Sequence, residues 1–200
     1  MIDPIAEFPV TGKLIHLNHA AVSPWPRVTA DAVKAFADEN LLRGSLAYGE
    51  WVETGQRLRE QLRELLNAAS VSEIAFVKNT SEGLSHVAAG IEWRHGDNIV
   101  GIRQEFPSNR FPWLALQRSG VEFRQLDLLC CEEDPEAALI ALCDGKTRLM
   151  TVSAVQYASG FRMDLERLGR HCRDNGILFC VDAIQQLSLI HISEPTRPSP

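Results

Sequence analysis

Ile177-Leu178-Phe179-Cys180-Val181-Asp182-Ala183-Ile184-Gln185 is the stretch from which the fold is read. Five apolar residues in a row end abruptly in a carboxylate, and an amide follows three positions on. A continuous apolar run suits a strand buried on both faces, as in a parallel sheet, whereas a half-buried strand alternates. Ligands of open α/β sheets sit outside the carboxyl ends of the strands. Asp182 therefore stands where a ligand would meet it. A carboxylate left unpaired directly behind a buried strand is costly, which favours a functional role over a structural one.

Upstream of that strand, elements alternate. Ile74-Ala75-Phe76-Val77 reads as a strand. A helix from about Thr80 follows, with Leu84, Val87, Ala88 and Ile91 at helical spacing. Strands are predicted over Asn98 to Ile102, Val121 to Leu126 and Arg148 to Ser153, and a helix over Arg110 to Arg118. Asp134-Pro135-Glu136 opens another helix with a capping residue and a proline at its first position. Asp164 caps the helix of Leu165, Leu168 and Cys172, which ends near Asn175-Gly176. Strands separated by helices mean βαβ units, hence an α/β fold with a mostly parallel sheet flanked by helices. The N-terminal region differs. Val28 to Leu42 and Trp51 to Leu66 are predicted helices, the first with Val28, Ala32, Ala35 and Phe36 on one face, the second with Trp51, Leu58, Leu62, Leu65 and Leu66.

The 200 residues suffice for one domain with a real core. With 45% hydrophobic and 23% charged residues the composition is ordinary for a soluble globular chain. A formal charge of -6 argues against a nucleic-acid partner, which needs a basic patch. No stretch approaches the roughly 18 apolar residues of a membrane helix. Five cysteines, one inside an apolar run, point to a reduced, cytoplasmic setting. Of the 20 basic residues only Lys13, Lys34, Lys78 and Lys146 are lysines.

Four segments fall at strand ends. Asn79-Thr80-Ser81-Glu82-Gly83 sets hydroxyls at a helix N-terminus, which suits an anion or a simple helix cap. Glu105-Phe106-Pro107-Ser108-Asn109 carries an aromatic ring that is either core or ligand-facing. Ser153-Ala154-Val155-Gln156-Tyr157-Ala158-Ser159-Gly160 is rich in hydrogen-bonding groups. Asp182 with Gln185 is the fourth. No G-x-G-x-x-G turn is present, which removes a dinucleotide-binding reading.

Together these segments, with Leu17-Asn18-His19-Ala20-Ala21 and Arg43-Gly44, resemble the class V aminotransferase family of pyridoxal-phosphate enzymes, which includes cysteine desulfurases and the isopenicillin-epimerase-like group. The likeness covers about residues 14 to 186. It implies an incomplete fold-type-I large domain. It implies that Thr80 and Ser81 hold the phosphate of pyridoxal 5'-phosphate, that Phe106 stacks on the ring, that Asp182 pairs with the pyridine nitrogen, and that Gln185 bonds the ring oxygen. The whole enzyme would act on a small-molecule amino-acid substrate through an aldimine, as a homodimer. The chain departs from the family in lacking a lysine after Asp182, where the Schiff base forms, so catalysis by these 200 residues alone is not expected. The rival is a non-catalytic α/β fragment or interaction module.

The resulting division is 1–50, an N-terminal arm and helix; 51–186, a partial cofactor-binding domain; and 187–200, a non-native tail. Leu187 to Arg197 resembles the conceptual translation of a transposase adapter used in sequencing-library preparation.

Overall fold

Four parallel strands organise the second part of the chain. They are β1 (Asn98–Ile102), β2 (Glu122–Leu126), β3 (Thr147–Ser153) and β4 (Leu178–Asp182), in the spatial order β2-β1-β3-β4. The computed structural model describes residues 3–18, 21–131 and 134–187. His19 and Ala20 of the N-terminal motif, and residues 188–200 of the expected tail, lie outside the described residues. The chain divides into two compact units, cut between Ala75 and Phe76.

In the first unit α1 (Pro4–Glu7), α2 (Arg27–Arg43) and α3 (Tyr48–Leu65) bear out both predicted helices. Gly44 closes α2 at φ 57°, a left-handed conformation that a side chain would strain. The α2–α3 corner is held by Phe36 edge-on to Trp51, with centroids 5.2 Å apart. Val28, Ala32, Ala35 and Phe36 remain exposed, and Ala47 is the one buried residue described in residues 3–75.

In the second unit α4 (Thr80–Gly90) and α5 (Phe111–Ala115) cover one face of the sheet. There Leu84, Ala88 and Trp113 pack on Ile99, Phe123 and Leu149. α6 (Pro135–Ala141) and α7 (Leu165–Asp174) cover the other, where Leu139, Leu168 and Cys172 pack on Val100, Ile102, Met150 and Val152. Asp134 and Asp164 cap their helices as expected, accepting from Ala137 N and Arg167 N at 2.9 Å each. Parallel crossovers are right-handed. The chain steps one way from β1 to β2 and the opposite way from β3 to β4. The connecting helices must therefore lie on opposite faces, and a crevice opens between the carboxyl ends of β1 and β3.

Two expectations are corrected. Ile74–Val77 forms no ladder: Ile74 is extended, at φ -104° and ψ 115°, but no strand lies beside it among the described residues, and an apolar run alone does not make a sheet. β4 is not buried on both faces along its length. It pairs with β3 alone among the described strands, and Leu178 at its start is 50% exposed.

Gly101, in β1, meets side chains of both neighbouring strands at close range. A Cβ there would lie 2.8 Å from Phe123 Cε2 and 3.1 Å from Thr151 Cγ2. Gly101→Ala is expected to destabilise the domain by about 1–3 kcal/mol, read as a lower denaturant midpoint. At the amino end of the sheet Asp144 accepts from Lys146 N at 2.9 Å, Asn98 Nδ2 at 2.7 Å and Arg124 Nη1 at 2.8 Å. Backbone, amide and guanidinium donors, in that order, hold its carboxyl at about 2 against an ordinary 3.8. Protonation weakens these bonds, so their stabilisation is present above pH 3.8 and fades as pH falls through about 2. Asp144→Asn should flatten the acid limb of a stability–pH curve in that window.

Candidate functional site

The site is built at the carboxyl ends of β1, β3 and β4 and at the N-terminus of α4. Asn79 caps α4, its Oδ1 accepting from Glu82 N at 2.9 Å, while Glu82 Oε2 accepts from Lys78 N at 2.7 Å. This reciprocal cap frees Thr80 and Ser81 from capping duty and puts their hydroxyls at the first two helical positions. The first N–H groups of a helix have no intrahelical acceptor and carry the positive end of its dipole. Ser81 Oγ lies 2.9 Å from Ser108 Oγ, which ties this terminus to the loop after β1.

That loop begins at the switch point. Glu105 is 3% exposed. Its Oε1 accepts from Ser153 N at 2.6 Å and Gln156 Nε2 at 2.9 Å, and its Oε2 accepts from Ser153 Oγ. One carboxylate thus bridges the ends of β1 and β3. Phe106, the next residue, is 48% exposed and no core side chain. Its ring stands edge-on to Tyr157, 46% exposed, with centroids 5.2 Å apart and planes at 85°. Behind it Asn109 is buried, its Oδ1 accepting from Trp113 Nε1 at 3.0 Å and Thr151 Oγ1 at 2.6 Å. Asn109 Nδ2 is buried without a hydrogen-bond partner.

The segment after β3 folds back on itself. Gln156 N donates to Phe161 O at 2.9 Å, Gly160 N to Gln156 O at 2.8 Å, and Met163 N to Ala154 O at 3.0 Å. Gly160 turns the corner at φ 71°. Ala154 N donates to Asp182 O at 2.9 Å, and Ser153 lies in register with Asp182. Asp182 is buried, with Oδ1 accepting from Ile184 N at 3.0 Å, and Gln185 is half-buried in the turn that follows.

Asp182, Phe106 and the Thr80–Ser81 pair therefore all belong to strand ends and a helix N-terminus of one unit. Lys146 precedes β3 at the sheet's other end, a strand length of roughly 23 Å from Ser153. Lys78 precedes the cap of α4. No cluster of metal-ligating side chains occurs among the described residues, nor any helix long and apolar enough to cross a membrane. Sequence reasoning gave no role to Glu105, Ser108, Asn109 or Tyr157. For Glu105 the signal was available, since it follows β1 by three residues much as Asp182 ends β4.

The doubly wound sheet defines an α/β domain with a crevice at its switch point. The aminotransferase class-V family model matches residues 15–194, and the chain belongs to that family. It is 33% identical over 194 residues to a probable cysteine desulfurase of Methanothermobacter thermautotrophicus, covering 93% of this chain and 47% of that protein. It is 29% identical over 180 residues to an uncharacterised protein of Schizosaccharomyces pombe, covering 90% and 41%. The chain thus spans about half the length of the curated relatives it matches. Among solved structures, an apo cysteine desulfurase from Thermococcus onnurineus matches with TM-score 0.71 and 27% identity, covering 90% of this chain and 46% of that one. A C-DES variant with glycine covalently linked to its PLP cofactor matches with TM-score 0.84 and 23% identity, covering 93% and 50%, and supports the fold.

The thiols divide by environment. Burial raises the Cys180 pKa; a Thr151 hydrogen bond opposes the rise and the charge of Asp182 adds to it. Burial pushes Cys172 up to about 12. Cys130 is exposed. At pH 8 iodoacetamide should therefore modify Cys130 in the folded protein and leave Cys172 and Cys180 intact until denaturant is added, as peptide mass spectrometry would show.

Proposed function

We propose that this chain is the cofactor-cradling half of a pyridoxal-phosphate enzyme acting on a small-molecule amino acid. The observation that carries the reading, beside family membership, is the buried Asp182 at the end of β4, one strand from the Glu105-bridged switch point. The residues present fit the group. A phosphate dianion suits the α4 terminus, where the Thr80 and Ser81 hydroxyls add donors. Either hydroxyl can donate in the Ser81–Ser108 contact, so with Ser108 donating the single Ser81 proton is left for the phosphate. Phe106 offers a half-exposed aromatic face to a flat ring.

Pyridoxal phosphate, when bound, supplies an electron sink for the bond broken at the amino acid's Cα. Asp182 keeps a proton on the pyridine nitrogen, because a buried carboxylate raises the pKa of a neighbouring base. Gln185 hydrogen-bonds the ring oxygen and fixes the ring's rotation. Thr80 and Ser81 anchor the phosphate, and Phe106 sets the ring's tilt and excludes water from one face. Transamination, desulfuration, β-elimination and epimerisation all use these roles.

None of Lys13, Lys34, Lys78 and Lys146 forms the covalent link to the cofactor in this reading. Lys78 belongs at the phosphate end and Lys146 at the sheet's far end. The linking lysine belongs to the rest of the enzyme. The complete protein is a homodimer in a reducing, cytoplasmic setting, a reading supported by five free cysteines and by the exposed Val28, Phe36, Leu41 and Leu42 of α2.

The complete enzyme should take up pyridoxal phosphate and turn yellow. Thr80→Ala should weaken uptake by about tenfold, as loss of a charge-assisted hydrogen bond does. Asp182→Ala should cut turnover by about a hundredfold or more while uptake falls far less, since the aspartate tunes the ring more than it anchors it. A folded complete protein that stays colourless with the cofactor would sink the reading. Borohydride labelling of one of the four lysines, with turnover by the 200-residue chain, would show the linking amine to be misplaced.

A further inference from the structure

Glu105 and Gln156 are joined by a 2.9 Å hydrogen bond, and the residues that follow each of them, Phe106 and Tyr157, are joined by their rings. The two contacts are adjacent rungs between the β1 loop and the β3 hairpin. The inner rung is buried, with Glu105 and Gln156 each 3% exposed. The outer rung is open, with both rings about half-exposed. An exposed edge-to-face pair contributes about 0.5–1.5 kcal/mol, too little to hold a loop in place unaided. A buried carboxylate with three donors is far more directional.

Resting on the reading that Phe106 lies against pyridoxal phosphate, we propose that Tyr157 is a second aromatic wall of the cofactor site and that Glu105 is a positioning residue that seats it through Gln156. Phe106 alone offers one surface. A ring standing at 85° to it gives the cofactor's edge a lateral stop, which fixes lateral position as well as tilt. Glu105 acts through shape rather than charge, because what it supplies is an acceptor shared by Ser153 N and Gln156 Nε2 and a contact to Ser153 Oγ. A glutamine can do the same: its carbonyl accepts both bonds and its amide donates to the Ser153 hydroxyl. An alanine cannot.

The test is a titration of the complete, cofactor-stripped protein with pyridoxal 5'-phosphate, reading affinity and the circular dichroism of the bound cofactor, with thermal unfolding as a check on the fold. Tyr157→Leu, a change at a half-exposed site, should weaken affinity by about five- to tenfold and reduce the cofactor's dichroism. Glu105→Ala and Gln156→Ala should do the same, and Glu105→Gln should restore both readings to near wild type. In the Tyr157→Leu background Gln156→Ala should add less than about twofold, since residues acting through one another are not additive. If Glu105→Gln is as defective as Glu105→Ala, charge rather than shape is at work and the inference falls. It falls equally if Gln156→Ala costs as much without Tyr157 as with it, or if Tyr157→Leu binds as wild type. Should the unmodified protein fail to bind the cofactor, the proposed function falls and takes this inference with it. Should Glu105→Ala fail to fold, Glu105→Gln and the Gln156–Tyr157 cycle decide alone.

Discussion

The handedness of parallel crossovers sets where this domain can hold anything. Stepping outward from β1 to β2 and then the other way from β3 to β4 obliges the covering helices to change face. At the point of change no crossover closes the space above the carboxyl ends of β1 and β3. Open α/β sheets bind their ligands at such points. The residues that matter here, Glu105, Phe106, Ser153 and Asp182, are the ones the strands deliver to that edge.

That gap has a cost, because strand ends expose backbone donors that a covering loop must satisfy. Glu105 meets the cost at the centre by taking Ser153 N and reaching on to Gln156. The hairpin after β3 meets it on the other side, where Ala154 N reaches Asp182 O. Asn109 links the helical layer to the sheet through Trp113 and Thr151. The crevice is thus lined by polar groups whose bonds to one another already restrict their rotation. A ligand docking there would find its surroundings ordered in advance, which lowers the entropy cost of binding.

Much of the second unit was legible in the chain. The capping aspartates 134 and 164, the apolar runs of β1, β3 and β4 and the helical spacing of Leu84 and Ala88 are local signals, decided within a few residues. Ile74–Val77 was misread because an apolar run specifies extended backbone and not a partner. The exposed start of β4 was misread for the same reason: the run cannot tell a central strand from an edge. In the first unit helical periodicity located α2 and α3, yet Val28 and Phe36 stay exposed, since periodicity says which face is apolar and not what covers it.

For the site, strand-end and helix-start position marked the segments around Thr80, Phe106 and Asp182 as candidates, and the resemblance to the class V aminotransferase family gave Thr80, Ser81, Phe106, Asp182 and Gln185 their expected roles. Glu105 and Tyr157 make contacts that came only from the tertiary structure. They stand 51 positions from their partners, so nothing in either segment indicates that the two meet. Local sequence fixes which elements form and which side chains sit at their ends. Only the sheet's order, with β1 between β2 and β3, brings those ends together, because hydrogen-bond pairing between distant strands depends on the packing of the whole.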